Sequence, residues 1–304
     1  MRRAGLLALV FGSALAFAGS YAVVSPSPNP YGWHNTVPVT VEIYTTDLSC
    51  LPIYVNGVPQ SGHPAVVVLS SEGVHTLRYR DNCETAEKTV VVRIDLTPPT
   101  VVIRVPEPGG RYLLNQPVNV DWVAYDNLSG IAEVESTATP GSALDTRSPG
   151  QNKFRIWVRD RAGNEREAWA WYYVHFVLEA VHPNGFYLDQ LLPPEERKPL
   201  GRGTLFARYP LHAPIIIAFM VKDYFGHPYT RAYPELTVLW VDLSGEEERL
   251  PLRGWARIPY DETKGYYFLA YSTKDHSPGF YELQIYFGDG RLERIRVELT
   301  PPKE

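Results

Sequence analysis

The sequence predicts an all-β protein built of tandem sandwich domains, and three observations carry that prediction. The 304 residues include 20 tyrosines, 27 prolines and 23 glycines, which favours strands and turns over helices. Beyond the N-terminus no long segment carries a helical apolar period, whereas Val39-Thr40-Val41-Glu42-Ile43-Tyr44 alternates with the period of a strand. The chain also repeats itself. Val39-Thr40-Val41-Glu42-Ile43 matches Val118-Asn119-Val120-Asp121-Trp122, each run preceded by a proline, Pro38 or Pro117. Asp47 and Ser49-Cys50 match Asp126 and Ser129-Gly130, and Leu77-Arg78-Tyr79-Arg80-Asp81 matches Ile156-Trp157-Val158-Arg159-Asp160. The offset is 79 residues, slipping by one around Asp126. That period is long for a solenoid repeat and suits a compact seven-stranded sandwich.

Taken in order, the chain opens with Met1-Arg2-Arg3, an apolar stretch over 4–17, and Ala16-Phe17-Ala18, which fits a small-x-small cleavage rule. This predicts a secretory signal peptide, 1–18, cut before Gly19. The alternative is an uncleaved membrane anchor, against which the apolar run is shorter than the roughly 20 residues of a full span; no span is expected after cleavage. Residues 19–30 are rich in Ser, Pro and Asn and read as an extended lead-in. Domain one follows, 31–96. Val39, Val41 and Ile43 should face inward, Asn56-Gly57 should form a two-residue hairpin turn, and 65–69, 74–80 and 89–94 should be strands. At Ile94-Asp95-Leu96-Thr97-Pro98-Pro99-Thr100-Val101 the two prolines cannot donate ladder hydrogen bonds. They end one strand and hold a short, stiff connection to domain two, 97–174.

That junction resembles the Asp-x-Thr-x-Pro-x-(Val/Ile) linker between bacterial immunoglobulin-like repeats. Asp160-Arg161-Ala162-Gly163-Asn164 is likewise close to their Asp-x-Ala-Gly-Asn turn. The third domain, 175–304, is longer than one repeat. It should be ordered by a turn and strand at 183–187, a continuous apolar strand at 214–223, and a strand, Gly-Asp-Gly turn and partner strand from 279 to 299. Its Gly265-Tyr266-Tyr267-Phe268, Thr273-Lys274 and Gly279-Phe280-Tyr281 order is similar to a β-module that closes secreted bacterial proteins with such repeats, with Asp275-His276-Ser277 as an unusual loop. The resemblance implies immunoglobulin-like β-sandwiches in a row. It also implies an exported, non-enzymatic structural or adhesive protein of the cell surface or medium, with a protein or polysaccharide partner at the cell envelope.

Candidate sites are few. Cys50 and Cys83 are the two cysteines, and their counterparts in the second repeat, Gly130 and Ala162, are small residues at two turns. If those turns touch, Cys50 and Cys83 form a disulfide closing about 33 residues, worth roughly 3–4 kcal/mol on the chain-entropy model. A metal-binding or catalytic thiol pair is the alternative, without a histidine at ligand spacing. Asp47 and Asp81, repeated as Asp126 and Asp160, place paired acids at one end of each sandwich. They could contribute to a calcium site, but the simpler reading has each aspartate bonding its own turn backbone. Under the 79-residue offset Trp169, Trp171 and Tyr173 overlay Val90, Val92 and Ile94, which puts the tryptophans on the buried face and Tyr172 on the wet one. Trp157 overlays Arg78 and should point away from its own core, as an interdomain contact, a lone surface aromatic or a ligand residue.

No nucleophile elbow, zinc-protease helix, phosphate-binding loop or dinucleotide fingerprint occurs, and the eight histidines scatter singly. The charged runs at 195–198 and 246–248 read as solvated turns. No cofactor is expected. The net charge of -5, or -7 once Arg2 and Arg3 are removed, argues against nucleic acid as a partner. Two other functions fit the pattern. A carbohydrate-binding accessory module would need exposed aromatics, with Trp157, Tyr172 and Tyr286 as candidates. An enzyme would carry its site in the third domain.

Overall fold

The computed structural model describes residues 19–180, 199–200, 203–241, 247–248 and 256–301. The expected signal peptide, the 183–187 turn and strand, and the charged run at 195–198 lie outside these residues. Strands dominate; a single short 3-10 helix, Leu48–Cys50, interrupts them among the described residues. No helix there is long and apolar enough to cross a membrane.

The first repeat contains β1 (Ser20–Ser25), β2 (Trp33–His34), β3 (Val39–Thr45), β4 (Ile53–Val55), β5 (Val58–Gln60), β6 (Ala65–Leu69), β7 (Gly73–Arg80) and β8 (Lys88–Ile94). They form two sheets, β1-β3-β6 and β2-β8-β7-β4-β5. The expected strands are present, and part of the extended lead-in is β1, paired with β3 from Ser20–Thr45 to Ser25–Thr40. Asn56 and Gly57 both take positive φ, 49° and 79°, as the type I′ hairpin between β4 and β5 requires. Alternation puts Val39, Val41 and Ile43 of β3 against Ile53, Val55, Leu77, Tyr79, Val92 and Ile94 of the other sheet, so one core is shared by two sheets.

The second repeat contains β9 (Thr100–Val105), β10 (Gly110–Leu113), β11 (Asp121–Tyr125), β12 (Ile131–Ser136), β13 (Gly150–Asp160) and β14 (Glu165–His175), in sheets β11-β9 and β10-β14-β13-β12. The third region contains β15 (Val177–Ala180), β16 (Pro199–Leu200), β17 (Gly203–Pro210), β18 (Ile215–Lys222), β19 (Glu235–Val241), β20 (Glu247–Glu248), β21 (Ala256–Arg257), β22 (Tyr260–Asp261), β23 (Tyr266–Tyr271), β24 (Gly279–Tyr286) and β25 (Leu292–Thr300). Its sheets are β15-β18-β23-β22 and β16-β17-β25-β24-β19-β20, with β21 on β19. Glu247 and Glu248, expected in a loop, lie in β20.

One topological signature occurs three times. The opening segment first pairs with the next long strand (β1 with β3, β9 with β11, β15 with β18). It then crosses to the other sheet and runs parallel to the last strand: β2 beside β8, β10 beside β14, β17 beside β25. This is the split first strand of an immunoglobulin-like sandwich, and it identifies the fold from the strand pairing itself.

The described chain divides into two compact units. One holds residues up to Val102 with 124–135 and 156–167; the other holds 103–123, 136–155 and the residues from 168 onward. In the second unit Phe219 stacks on Tyr267 at 5.5 Å and meets Phe287 edge-on at 5.4 Å. Arg296 of β25 is buried opposite Glu282 with a 3.0 Å ion pair. Neither charge is left alone, which is the condition for tolerating such burial.

One expectation about facing is overturned. In β14 the even residues Ala170, Tyr172 and Val174 are buried, while Trp169 is 54% and Trp171 39% exposed. The 79-residue offset is odd and had sent these tryptophans to the core. It holds along β13, where Ile156 and Val158 are buried like Leu77 and Tyr79. It fails at the following turn. In the first repeat Tyr79 pairs with Lys88, an odd residue with an even one, across the connection 81–87. In the second, the Asp160 N–H bonds the Asn164 carbonyl, even with even, across the shorter connection 161–164. A one-residue change of register turns every later side chain to the other face.

Candidate functional site

Two places gather chemistry-bearing side chains. The first lies in the unit that contains the first repeat, where the acids singled out by sequence close their own turns. Asp47 caps the 3-10 helix, accepting from the Ser49 hydroxyl at 2.7 Å and the Ser49 N–H at 2.9 Å, and these bonds hold its carboxyl below the usual carboxylate range. Asp81 accepts from the Thr45 hydroxyl at 2.8 Å and from the N–H groups of Cys83 and Glu84, both at 3.0 Å. Between them Cys50 and Cys83 are joined as a disulfide, with their Cα atoms 5.2 Å apart.

Asp126 and Asp160 behave alike. Asp126 Oδ1 accepts from the N–H of Leu128 at 3.1 Å and of Gly130 at 2.6 Å. Asp160 Oδ1 accepts from Gly163 at 2.7 Å and Asn164 at 2.9 Å. Gly163 sits at φ 103°, a conformation open to glycine, and a Cβ there would meet Asn35 Nδ2 at 3.3 Å. A third acid that sequence reading passed over, Asp95, completes the group; one oxygen from each carboxylate lies within 4.8 Å of the others. Asp95 comes from the linker and accepts from the Ser129 N–H at 3.0 Å. Asn164 returns the contact, donating to the Asp95 carbonyl at 2.9 Å and to Asp160 Oδ2 at 2.8 Å. Asn29 donates to the carbonyls of Arg161 and Ala162 at 2.7 and 3.0 Å. The Asp160–Asn164 motif thus clamps the linker with backbone-directed bonds. A calcium ion would need six to eight oxygens, and the bonds just described already engage an oxygen of each of these carboxylates.

Trp157, the weak ligand candidate, points away from the core as expected. Its indole N–H donates to Glu165 Oε2 at 3.3 Å, and Arg159 lies 5.0 Å from its ring while also pairing with Glu165 at 2.7 Å. Its ring and donor are therefore engaged within the protein.

The second place is the outward face of β14, in the other unit. Trp169, Trp171, Tyr173 and His175 succeed one another at alternate positions. The two indoles meet at 6.3 Å, and Lys153 from β13 sits 5.4 Å from one ring and 5.6 Å from the other. Tyr173 stacks on His175 and accepts a 3.3 Å bond from Gln151. Arg111 is the strand partner of Tyr173, which puts both side chains on the same face. Arg111, Tyr173, His175 and Tyr286 line an open cleft of about 660 Å³. Its acid, Asp289, is buried and accepts from the Phe176 N–H at 2.9 Å and from Arg291 at 2.7 Å. Burial pushes the His175 imidazole below its ordinary value, against the opposing pull of Asp289. Tyr172, expected on the wet face, is buried, donates to the Asp145 carbonyl at 2.8 Å, and has its hydroxyl pushed up to about 12 by burial.

In the third region His276 packs between Tyr271 and Tyr281, at 5.6 and 5.1 Å. It is a half-buried packing histidine whose pKa burial lowers.

No known family profile matches the chain, and no curated protein matches it in sequence. Several solved structures align with it at low similarity. The immunoglobulin domains 1–5 of Sidekick-1 align over 94% of this chain and 59% of theirs, at 12% identity and a TM-score of 0.34. A tetra-tandem repeat from the extending region of a large adhesion protein aligns over 93% of this chain and 74% of its own, at 13% identity and a TM-score of 0.33. Titin domains I67–I69 align over 95% of this chain and all of theirs, at 10% identity and a TM-score of 0.29. These values carry no argument about function, which rests on the side chains above.

Proposed function

We propose that this chain is an exported, non-enzymatic adhesive protein, released from a signal peptide at 1–18. In this reading immunoglobulin-like modules at 31–96, 97–174 and 175–304 present a binding face to a partner at the cell envelope. The observation that supports it is the exposed aromatic row of β14. Exposed tryptophans side by side on a strand are costly to leave in water and are the residue type that dominates binding hot spots. The catalytic alternative has less to rest on. The acids of both repeats are occupied by their turns, and half-buried His276 of the third region packs between two tyrosine rings.

Incubating the labelled full mature chain with envelope fractions of its own source tests the reading. Retention is expected, and Trp169→Ala/Trp171→Ala should release the protein while its melting curve stays that of the wild type. Equal retention of the double variant would overturn it, as would a native protein that keeps Met1 and stays in the cytoplasm.

A further inference from the structure

Resting on that adhesive reading, we infer that the outward face of β14 binds an acidic polysaccharide, a polymer of uronate-bearing sugars. Alternate residues on a strand stand about 6.6 Å apart, so Trp169, Trp171 and Tyr173 form a row about 13 Å long. Sugars offer such a row the flat C–H faces of their rings, which pack on aromatic surfaces, while their hydroxyls stay in water or meet polar flanks such as Gln151. What selects an acidic sugar is the charge beside the rings. Lys153 lies against both indoles, and Arg111 is exposed next to Tyr173. Among the described residues neither pairs with a carboxylate, and Asp289 of the adjoining cleft is buried and bonded to Arg291. Two cations thus stand beside the rings, with exposed Glu167 two residues before Trp169, on a chain of net charge -5; they are complementary to carboxylates that the acidic remainder of the surface repels. Single-stranded nucleic acid, which also stacks on aromatics beside cations, is the competing polyanion, and the test below sets it against the uronate polymers.

The test is affinity electrophoresis of the full mature chain in gels containing polygalacturonate, alginate or hyaluronate. Fully methyl-esterified polygalacturonate serves as the uncharged counterpart, and oligo-dT is the nucleic-acid control. Retardation is expected with at least one uronate polymer and should be at least tenfold weaker with the ester. Trp171→Ala and, separately, Lys153→Glu should each weaken it about tenfold or more, the second without touching the rings. Added salt should weaken binding as well. Equal retardation by the ester, stronger binding of oligo-dT, or binding to none of the three uronate polymers would overturn the assignment. So would a concentration-dependent dimer abolished by Trp171→Ala, since the face would then meet a second copy. Envelope retention that depends on Trp169 and Trp171 without any uronate binding removes only this ligand class. Retention indifferent to both tryptophans removes the adhesive reading instead.

Discussion

The last strand of the first repeat and the last strand of the second occupy the same place in the same topology, yet their outward faces differ in kind. On β8 the outward residues are Thr89, Val91 and Arg93; on β14 they are Trp169, Trp171 and Tyr173. The inward faces do the same work, with Val92 and Ile94 in one core and Tyr172 and Val174 in the other. A shortened turn between β13 and β14 shifted the parity of the strand and so decided which aromatics are structural and which meet water. The two turns are also closed differently. The first uses a disulfide and the partly exposed Glu84–Lys88 ion pair; the second uses carboxylates, an amide and a glycine.

The sharpest way to break this comparison is within β14 itself. Tyr172→Ala removes a buried ring and its bond to the Asp145 carbonyl, and should cost about 3–5 kcal/mol, read as a large fall in the denaturation midpoint. If Tyr172→Ala is mild, the facing of β14 is wrong. Next in size is the covalent closure of the first repeat. Cys50→Ala/Cys83→Ala opens a loop of 33 residues and should cost about 3–4 kcal/mol, while thiol titration of the denatured, unreduced wild type should find no free thiol.

The turn beside that disulfide has a pH signature. Burial alone would raise the Glu84 carboxyl, but bonds from Lys88, the Ser20 hydroxyl and the N–H groups of Asp81 and Ser20 outweigh it and hold it at about 2 against an ordinary 4.5. The folded value lies below the unfolded one, so the contribution is complete above about pH 4.5 and is lost as pH falls toward 2. It amounts to roughly 3 kcal/mol at neutral pH. Glu84→Gln should lose that stability at pH 7 and flatten the acid limb of stability against pH; an unchanged acid limb would discount the Ser20–Glu84–Lys88 arrangement. In the second repeat Asp160→Ala leaves the N–H groups of Gly163 and Asn164 without their acceptor. About 1–3 kcal/mol is expected, with Asp160→Asn recovering part of it.

Much of the fold was legible in the sequence, for local reasons. Asn56-Gly57 has few backbone options, Val39, Val41 and Ile43 alternate without interruption, and Cys50 and Cys83 replaced two small residues together. What could not be read required distances that sequence offsets do not contain. Asp95 looked like a linker residue because its partner Ser129 and its neighbour Asn164 are far along the chain. Overlaying the repeats at one offset gave the right face for Trp157 and the wrong one for Trp169 and Trp171, because parity depends on a turn whose length differs between copies. The even residues of β14 held the missing signal. Ala170, Tyr172 and Val174 continue to buried Phe176, an alternation that marks the inward face where the repeat offset had placed the tryptophans.

The smallest expected effect is therefore the most discriminating. Trp171 is 39% exposed and contacts Trp169 and Lys153 on the outer surface. Its truncation leaves no cavity in the core, and outward substitutions change stability by no more than about half a kcal/mol. Trp171→Ala should thus melt within a degree or two of the wild type although a tryptophan is lost, while neighbouring Tyr172→Ala melts far below it. The same variant should lose retention at the envelope, so stability and binding separate on adjacent residues. Were Trp171→Ala as damaging to stability as Tyr172→Ala, the indole would have to be supporting the core, and the aromatic row of β14 would belong to packing instead of recognition.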